Sequence, residues 1–168
     1  KDEDSPPWES VRDSFRYRAV ARDSAMLDAE RYLYASPSAP RSAELAAFAA
    51  QVFKPGVPLL AGARALTELI FKTFKYDPDA TEVGTSVYEV LKRKRGVCQD
   101  FAHLMIAAVR SIGLPARYMS GYLLTDPPPG KPRLIGADAS HAWVALWCPE
   151  QGWIEYDPTN GIQPDLRH

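Results

Sequence analysis

Side chains that do covalent chemistry are few in this chain: two cysteines, Cys98 and Cys148, and three histidines, His103, His141 and His168. Cys98 stands at the start of an expected helix, just after Gly96. The free N–H groups and dipole of a helix N-terminus favour an anion, and the thiolate is the nucleophilic form of cysteine. Lys94 and Arg95 add positive potential, and Gly96 lets another stretch of chain approach closely. The competing reading is a buried, inert thiol that packs as a small hydrophobe. Position alone leaves both readings open. Cys148 ends an expected strand, ahead of Pro149 and away from any helix terminus, and reads as core filler.

A nucleophilic thiol needs an imidazole to take its proton, and the imidazole needs a third group to orient it. His168 lies at a chain end, where order is poor. His103 follows Cys98 by five residues, about 140° around a helix, so it does not face the thiol. His141 remains, at the mouth of a strand after a long loop. In a strand over 141–147, His141, Trp143, Ala145 and Trp147 share one face. The stretch 148–152 suits an antiparallel hairpin to a second strand over 153–157. If Trp147 opposes Trp153, then Trp143 opposes Asp157. His141 and Asp157 are then diagonal neighbours on one face, about 7–8 Å apart at the backbone. A slip of one residue would break this arrangement. Asp157-Pro158-Thr159-Asn160-Gly161 is a turn that stops the strand, and taken alone Asp157 is ordinary turn chemistry. Together the three residues make a Cys–His–Asp triad.

The elements around them fall into two groups. Residues 1–10 are polar, with Pro6-Pro7, and residues 11–20 are expected as a short strand or an irregular approach. Ser42 can cap a helix carrying Leu45, Phe48 and Ala49 on one face, closed by Lys54-Pro55-Gly56. Leu59, Ala63, Leu66, Ile70 and Phe74 recur at helical steps and predict a helix over 59–74. A loop follows over 76–84. Ser86-Val87-Tyr88-Glu89 is a capping box. The short helix that it opens ends in the basic run 92–95, with Gly96 as its terminator. That run reads as a solvated helix end. A helix over 98–112 has the stripe Val97, Phe101, Leu104, Ala108 and Ile112. Strands follow over 116–124, 141–147 and 153–157, with a polar, Pro-rich loop over 125–140 that delivers His141. Helices first and strands later give an α+β order.

Composition bounds the function. The chain has 168 residues and a net charge of −1, so it makes one ordinary domain without the electrostatic footprint of a nucleic-acid or anionic-membrane binder. Two cysteines exclude a disulfide scaffold and a four-cysteine zinc site. No apolar run reaches the ~18 residues of a membrane helix. The chain starts without Met and is expected to be a piece of a longer protein. Residues 1–40 are then a lead-in, 41–162 the catalytic core and 163–168 a tail. A cytoplasmic location is favoured.

Arg95-Gly96-Val97-Cys98-Gln99-Asp100-Phe101-Ala102, His141-Ala142-Trp143-Val144 and Tyr156-Asp157-Pro158-Thr159-Asn160, in that order, resemble the transglutaminase-like superfamily and its bacterial cysteine-protease members. The resemblance spans about residues 40–162; the triple match is specific where any single motif is weak. It implies a papain-like transglutaminase-core fold, with helices packed on an antiparallel β-sheet and the catalytic Cys at a helix N-terminus. It implies acyl transfer through a thioester, with Cys98 as nucleophile, His141 as general base and acid, and Asp157 orienting His141. The Cys98 backbone N–H is one oxyanion donor, and Tyr76 is the candidate for the second. Trp143 and Gln99 are candidates for the substrate cleft, although cross-strand packing of Trp143, Trp147 and Trp153 is the simpler reading. The favoured activity is thiol-dependent hydrolysis of an amide in a protein or peptide. The alternatives are protein-glutamine cross-linking and a non-catalytic interaction module. The chemistry needs no metal or organic cofactor, and Asp77-Pro78-Asp79 is too slight for a calcium site.

Overall fold

The computed structural model describes residues 2–17, 23–82, 84–123 and 140–164. Its helices are α1 (Trp8–Arg16), α2 (Ser24–Glu30), α3 (Ala43–Ala49), α4 (Leu59–Thr73), α5 (Val87–Arg93) and α6 (Cys98–Ser111). Its strands are β1 (Lys75–Tyr76), β2 (Arg95–Gly96), β3 (Ala116–Tyr122), β4 (Ser140–Cys148) and β5 (Gly152–Tyr156).

The fold is built around α6. The expected stripe is too narrow for what is found: Ala102, Met105, Ile106, Ala107 and Val109 are as buried as Phe101, Leu104 and Ala108. The antiparallel sheet, in the order β3-β4-β5, packs against this helix, and so do α3, α4 and α5. A helix that is apolar all round is a buried helix. The small side chains of Ala102, Ala107 and Ala108 let its neighbours come close. The mixed α+β architecture is therefore the expected one.

The β4–β5 hairpin has the anticipated register. Trp147 pairs with Trp153, and Val144 pairs with Tyr156. One step further along the same register sets Trp143 across from Asp157. Alternation turns Ala142, Val144, Leu146 and Cys148 into the core, leaving His141 and Trp143 on the other face.

The N-terminal expectation needs correction. Residues 8–16 are helical, neither strand nor irregular, because Trp8, Val11 and Phe15 recur at helical spacing and bury one face. The lead-in also joins the main core. The Trp8 indole N–H donates to the Lys54 carbonyl at 3.0 Å, and the Leu60 N–H donates to Ser5 Oγ at 3.0 Å.

Two local expectations shift as well. Ser86 Oγ caps α5 by accepting from the Glu89 N–H at 3.3 Å, but the Glu89 carboxylate pairs one turn on with Arg93 at 2.9 Å. Second, α5 ends on Lys94 in the left-handed region, at φ 56°, and Gly96 lies in β2. The Lys94 ammonium lies over the rings of Phe74 and Phe48, 4.4 and 5.2 Å from their centres, and burial lowers its pKa. The loop expected over 76–84 begins inside β1, which pairs in parallel with β2. The stretch 124–139, with most of the proline-rich loop, and His168 lie outside the described residues.

Candidate active site

Cys98 is the first residue of α6 and is half-buried. Its position depends on the two residues before it and on Asp100 after it. The Val97 N–H donates to Asp100 Oδ2 at 2.9 Å, and the Thr81 hydroxyl donates to the same oxygen at 2.6 Å. A Cβ on Gly96 would stand 2.7 Å from that oxygen. Gly96 is thus glycine because the Asp100 carboxylate presses on it, and the close approach expected here comes from the helix itself.

Tyr76 reaches the same place through β1. It pairs with Gly96, and the Asp77 N–H donates to the Gly96 carbonyl at 2.9 Å. Burial raises the pKa of the Tyr76 phenol, and the charge of Cys98 raises it further.

His141 and Asp157 are almost wholly buried, at 1% and 0% exposure. His141 Nε2–H donates to Asp157 Oδ2 at 2.9 Å. The Cys98 side chain also acts on the imidazole and favours its protonated form. Burial alone would lower the pKa of His141. The bond to Asp157 and the influence of Cys98, with the charges of both, outweigh burial and raise it to about 9.

The Asp157 carboxylate is held from several directions. Oδ1 accepts from the Thr159 N–H at 2.9 Å and the Asn160 N–H at 3.2 Å, while Oδ2 also accepts from Asn160 Nδ2 at 2.7 Å. Gly161, at φ 68°, closes the turn by donating to the Asp157 carbonyl at 2.9 Å. Asn160 was not singled out by the sequence reading. Its signal is the Asx turn of Asp-Pro-Thr-Asn-Gly, which places an amide beside the carboxylate.

Trp143 is 5% exposed. Its ring lies nearly parallel to the His141 ring, with centres 6.1 Å apart, and its indole N–H donates to Glu155 Oε2 at 2.8 Å. Gly121, opposite His141 in β3, leaves room for this indole: a Cβ there would be 2.8 Å from it. Trp147 and Trp153 pack edge to face across the hairpin, with centres 5.7 Å apart.

Gln99 is exposed and lines a pocket of about 220 Å³ with Asp100, His103, Ser38 and Ser86. His103 stacks on Tyr118 at 5.1 Å, and burial lowers its pKa. Tyr118 is a further residue that sequence reading missed. Its phenol pKa is raised by burial and then by the charges of Cys98 and Asp100. Cys148 is 0% exposed, its S–H donates to the Pro149 carbonyl at 3.3 Å, and burial raises its pKa.

Among the described residues no cluster of His, Cys, Asp or Glu could hold a metal ion. No helix among them is long and apolar enough to cross a membrane. The arrangement combines a reachable thiol, a buried imidazole that favours its protonated form, and a fixed carboxylate. Such a set can exchange a proton between sulfur and a reacting amide.

The model of the transglutaminase-like superfamily matches residues 46–158. An uncharacterised Mycobacterium tuberculosis protein is 49% identical over 125 residues, which are 72% of this chain and 40% of that protein. The protein-glutamine gamma-glutamyltransferase of Pseudomonas aeruginosa is 30% identical over 146 residues, 86% of this chain and 19% of its own length. Among solved structures, a candidate cysteine protease from Cytophaga hutchinsonii superposes with a TM-score of 0.68 at 28% identity, covering 87% of this chain and 46% of its own. The periplasmic domain of TgpA from Pseudomonas aeruginosa, bound to ethylmercury, gives 0.60 at 29% identity, covering 80% and 49%. The chain spans less than half the length of each of these relatives. With the fold, the order of the three motifs and the family match in agreement, the chain belongs to the transglutaminase-like superfamily.

Proposed function

We propose that Cys98, His141 and Asp157 form a catalytic triad that cleaves an amide bond of a protein or peptide through a thioester. The observation that carries this reading is the buried His141 imidazole, held by Asp157 Oδ2 at 2.9 Å on a strand that faces the start of α6; the influence of Asp157 and Cys98 on the imidazole raises its pKa. The Cys98 thiol passes its proton to His141 as the sulfur attacks the amide carbonyl. The Cys98 N–H and the Tyr76 phenol are assigned to the oxyanion. His141 gives its proton to the leaving amine, which departs as the thioester forms. The now neutral His141 takes a proton from water, and the resulting attack releases the acid and restores the thiol–imidazole pair. Asp157 keeps the ring oriented throughout. Trp143 is assigned to the wall beside His141, and Gln99 with its pocket to the groups that flank the scissile bond.

Hydrolysis is favoured because water is the default acceptor and because the Cytophaga structure is described as a candidate cysteine protease. The likeness to a protein-glutamine gamma-glutamyltransferase supports a second reading, in which an amine replaces water in the last step. Mass spectrometry of a peptide library incubated with and without a primary amine separates the two. New termini or glutamine-to-glutamate conversion in both samples indicate hydrolysis. Amine adducts on glutamine indicate cross-linking. No change in any peptide would leave the fold as an interaction module and sink the proposal.

A pH dependence follows from the raised pKa of His141. The imidazolium is the form that protonates the leaving amine, so kcat/KM should fall as pH rises through about 9. Stability follows the same sign. The contribution of this group is complete below the ordinary value of 6.5 and is lost as pH rises through about 9. A kcat/KM profile with its alkaline limb near 6.5 would mean that Asp157 and Cys98 do not hold the proton as argued.

A further inference from the structure

We infer that Asp100 is a positioning residue for the oxyanion-binding backbone at Cys98. This inference rests on the proposed acyl-transfer reading and adds to it the part that shapes the oxyanion hole. Most helices open on a side chain that accepts from the first-turn N–H groups. The N-cap of α6 is Val97, and no side chain caps that turn. The first-turn donors are therefore left for a ligand oxygen, and something other than a cap must hold the backbone that carries them.

Asp100 does this from inside the helix. Its Oδ2 accepts from the Val97 N–H at 2.9 Å and from the Thr81 hydroxyl at 2.6 Å. Asp100 is 8% exposed, and its carboxylate sits on Gly96, where any larger residue would push it away. Through Thr81 it also ties down the loop that leaves β1 just after Tyr76. The Gly96 carbonyl accepts from the Asp77 N–H, and Arg95 pairs with Asp77 at 3.1 Å, so both sides of this clasp converge on the peptides ahead of Cys98. One carboxylate oxygen thus sets the spacing between the two groups assigned to the oxyanion: the Cys98 N–H and the Tyr76 phenol.

The test compares two reactions of the same thiol. Acylation of Cys98 by an activated peptide ester passes through an oxyanion. Alkylation by iodoacetamide displaces iodide at a tetrahedral carbon and does not. Asp100→Ala should slow acylation about 100-fold, the usual cost of a misplacement on the ångström scale, while alkylation stays near the wild-type rate. Asp100→Asn presents a carbonyl oxygen to the same two donors and should restore most of the acylation rate. Thr81→Val, which removes one bond to Asp100 and keeps the shape, should cost about 5–10-fold in acylation. It carries the test if Asp100→Ala does not fold. Equal losses in acylation and alkylation would overturn the inference, because the thiol itself would then be displaced. So would an Asp100→Asn variant as slow as Asp100→Ala, because charge rather than placement would then matter. A wild-type protein that is alkylated at Cys98 but never acylated would instead reject the acyl-transfer reading.

Discussion

Replacing Cys98 with alanine should lower kcat/KM on any amide substrate by at least about 10⁴-fold, with the folded state intact. The size of the effect follows from what the sulfur does. It forms the covalent intermediate, and without it only binding and the oxyanion donors remain, which retain a small residue of catalysis. Alanine removes one half-buried atom from the first turn of α6, so circular dichroism and the denaturation midpoint should stay close to wild type. The companion measurement is alkylation at pH 6–7 followed by peptide mapping. Label should appear on Cys98 and not on Cys148, which is 0% exposed and whose pKa is raised by burial. Undiminished turnover by Cys98→Ala, or label on Cys148 alone, would remove Cys98 from the chemistry.

Asp157 should show the second largest effect, and it should do so on activity and stability together. Asp157→Asn keeps the volume but offers the imidazole the wrong partner, and kcat should fall by about 10³-fold or more. The alkaline limb of the kcat/KM profile should move down from about 9, because a carboxylate charge and its hydrogen bond no longer favour the imidazolium. Asp157→Ala goes further. It strands the buried His141 N–H together with the Thr159 N–H, the Asn160 N–H and the Asn160 side-chain amide. Breaking one side of a buried, hydrogen-bonded pair costs about 3–5 kcal/mol. Chemical denaturation read by tryptophan fluorescence would measure it. A variant as stable as wild type would mean that the 157–161 turn folds without its carboxylate.

Helices α3 to α6 and the hairpin were legible because each has a local signature. Ser42 and Ser86 announce caps, α4 repeats its apolar residues at helical steps, and pairing Trp147 with Trp153 determines where Asp157 falls. The site could be read for the same reason, since strand parity and one register relate His141 to Asp157. What could not be read depends on tertiary partners. The left-handed residue after α5 is Lys94 and not a glycine, because two aromatic rings hold its ammonium and compensate an unfavourable backbone. The role of α1 was hidden behind polar residues and prolines that resemble a linker, although Trp8, Val11 and Phe15 carry the period of a buried helix. Asp100 looked like one more polar residue in a motif. Only the short contacts from Val97 and Thr81 reveal what it holds.

The two cysteines differ in one further respect, which concerns oxidation. Cys98 is reachable and stands beside an imidazole, so peroxide would convert its sulfur to a sulfenic acid. The usual protection is a second thiol that condenses with it to form a disulfide. Cys148, the other cysteine of the chain, is sealed in the core seven residues along β4 from His141, about 23 Å of extended strand. It cannot serve as a resolving thiol. Within these 168 residues no second thiol is placed to restore an oxidised Cys98, so its recovery calls on a thiol supplied from elsewhere.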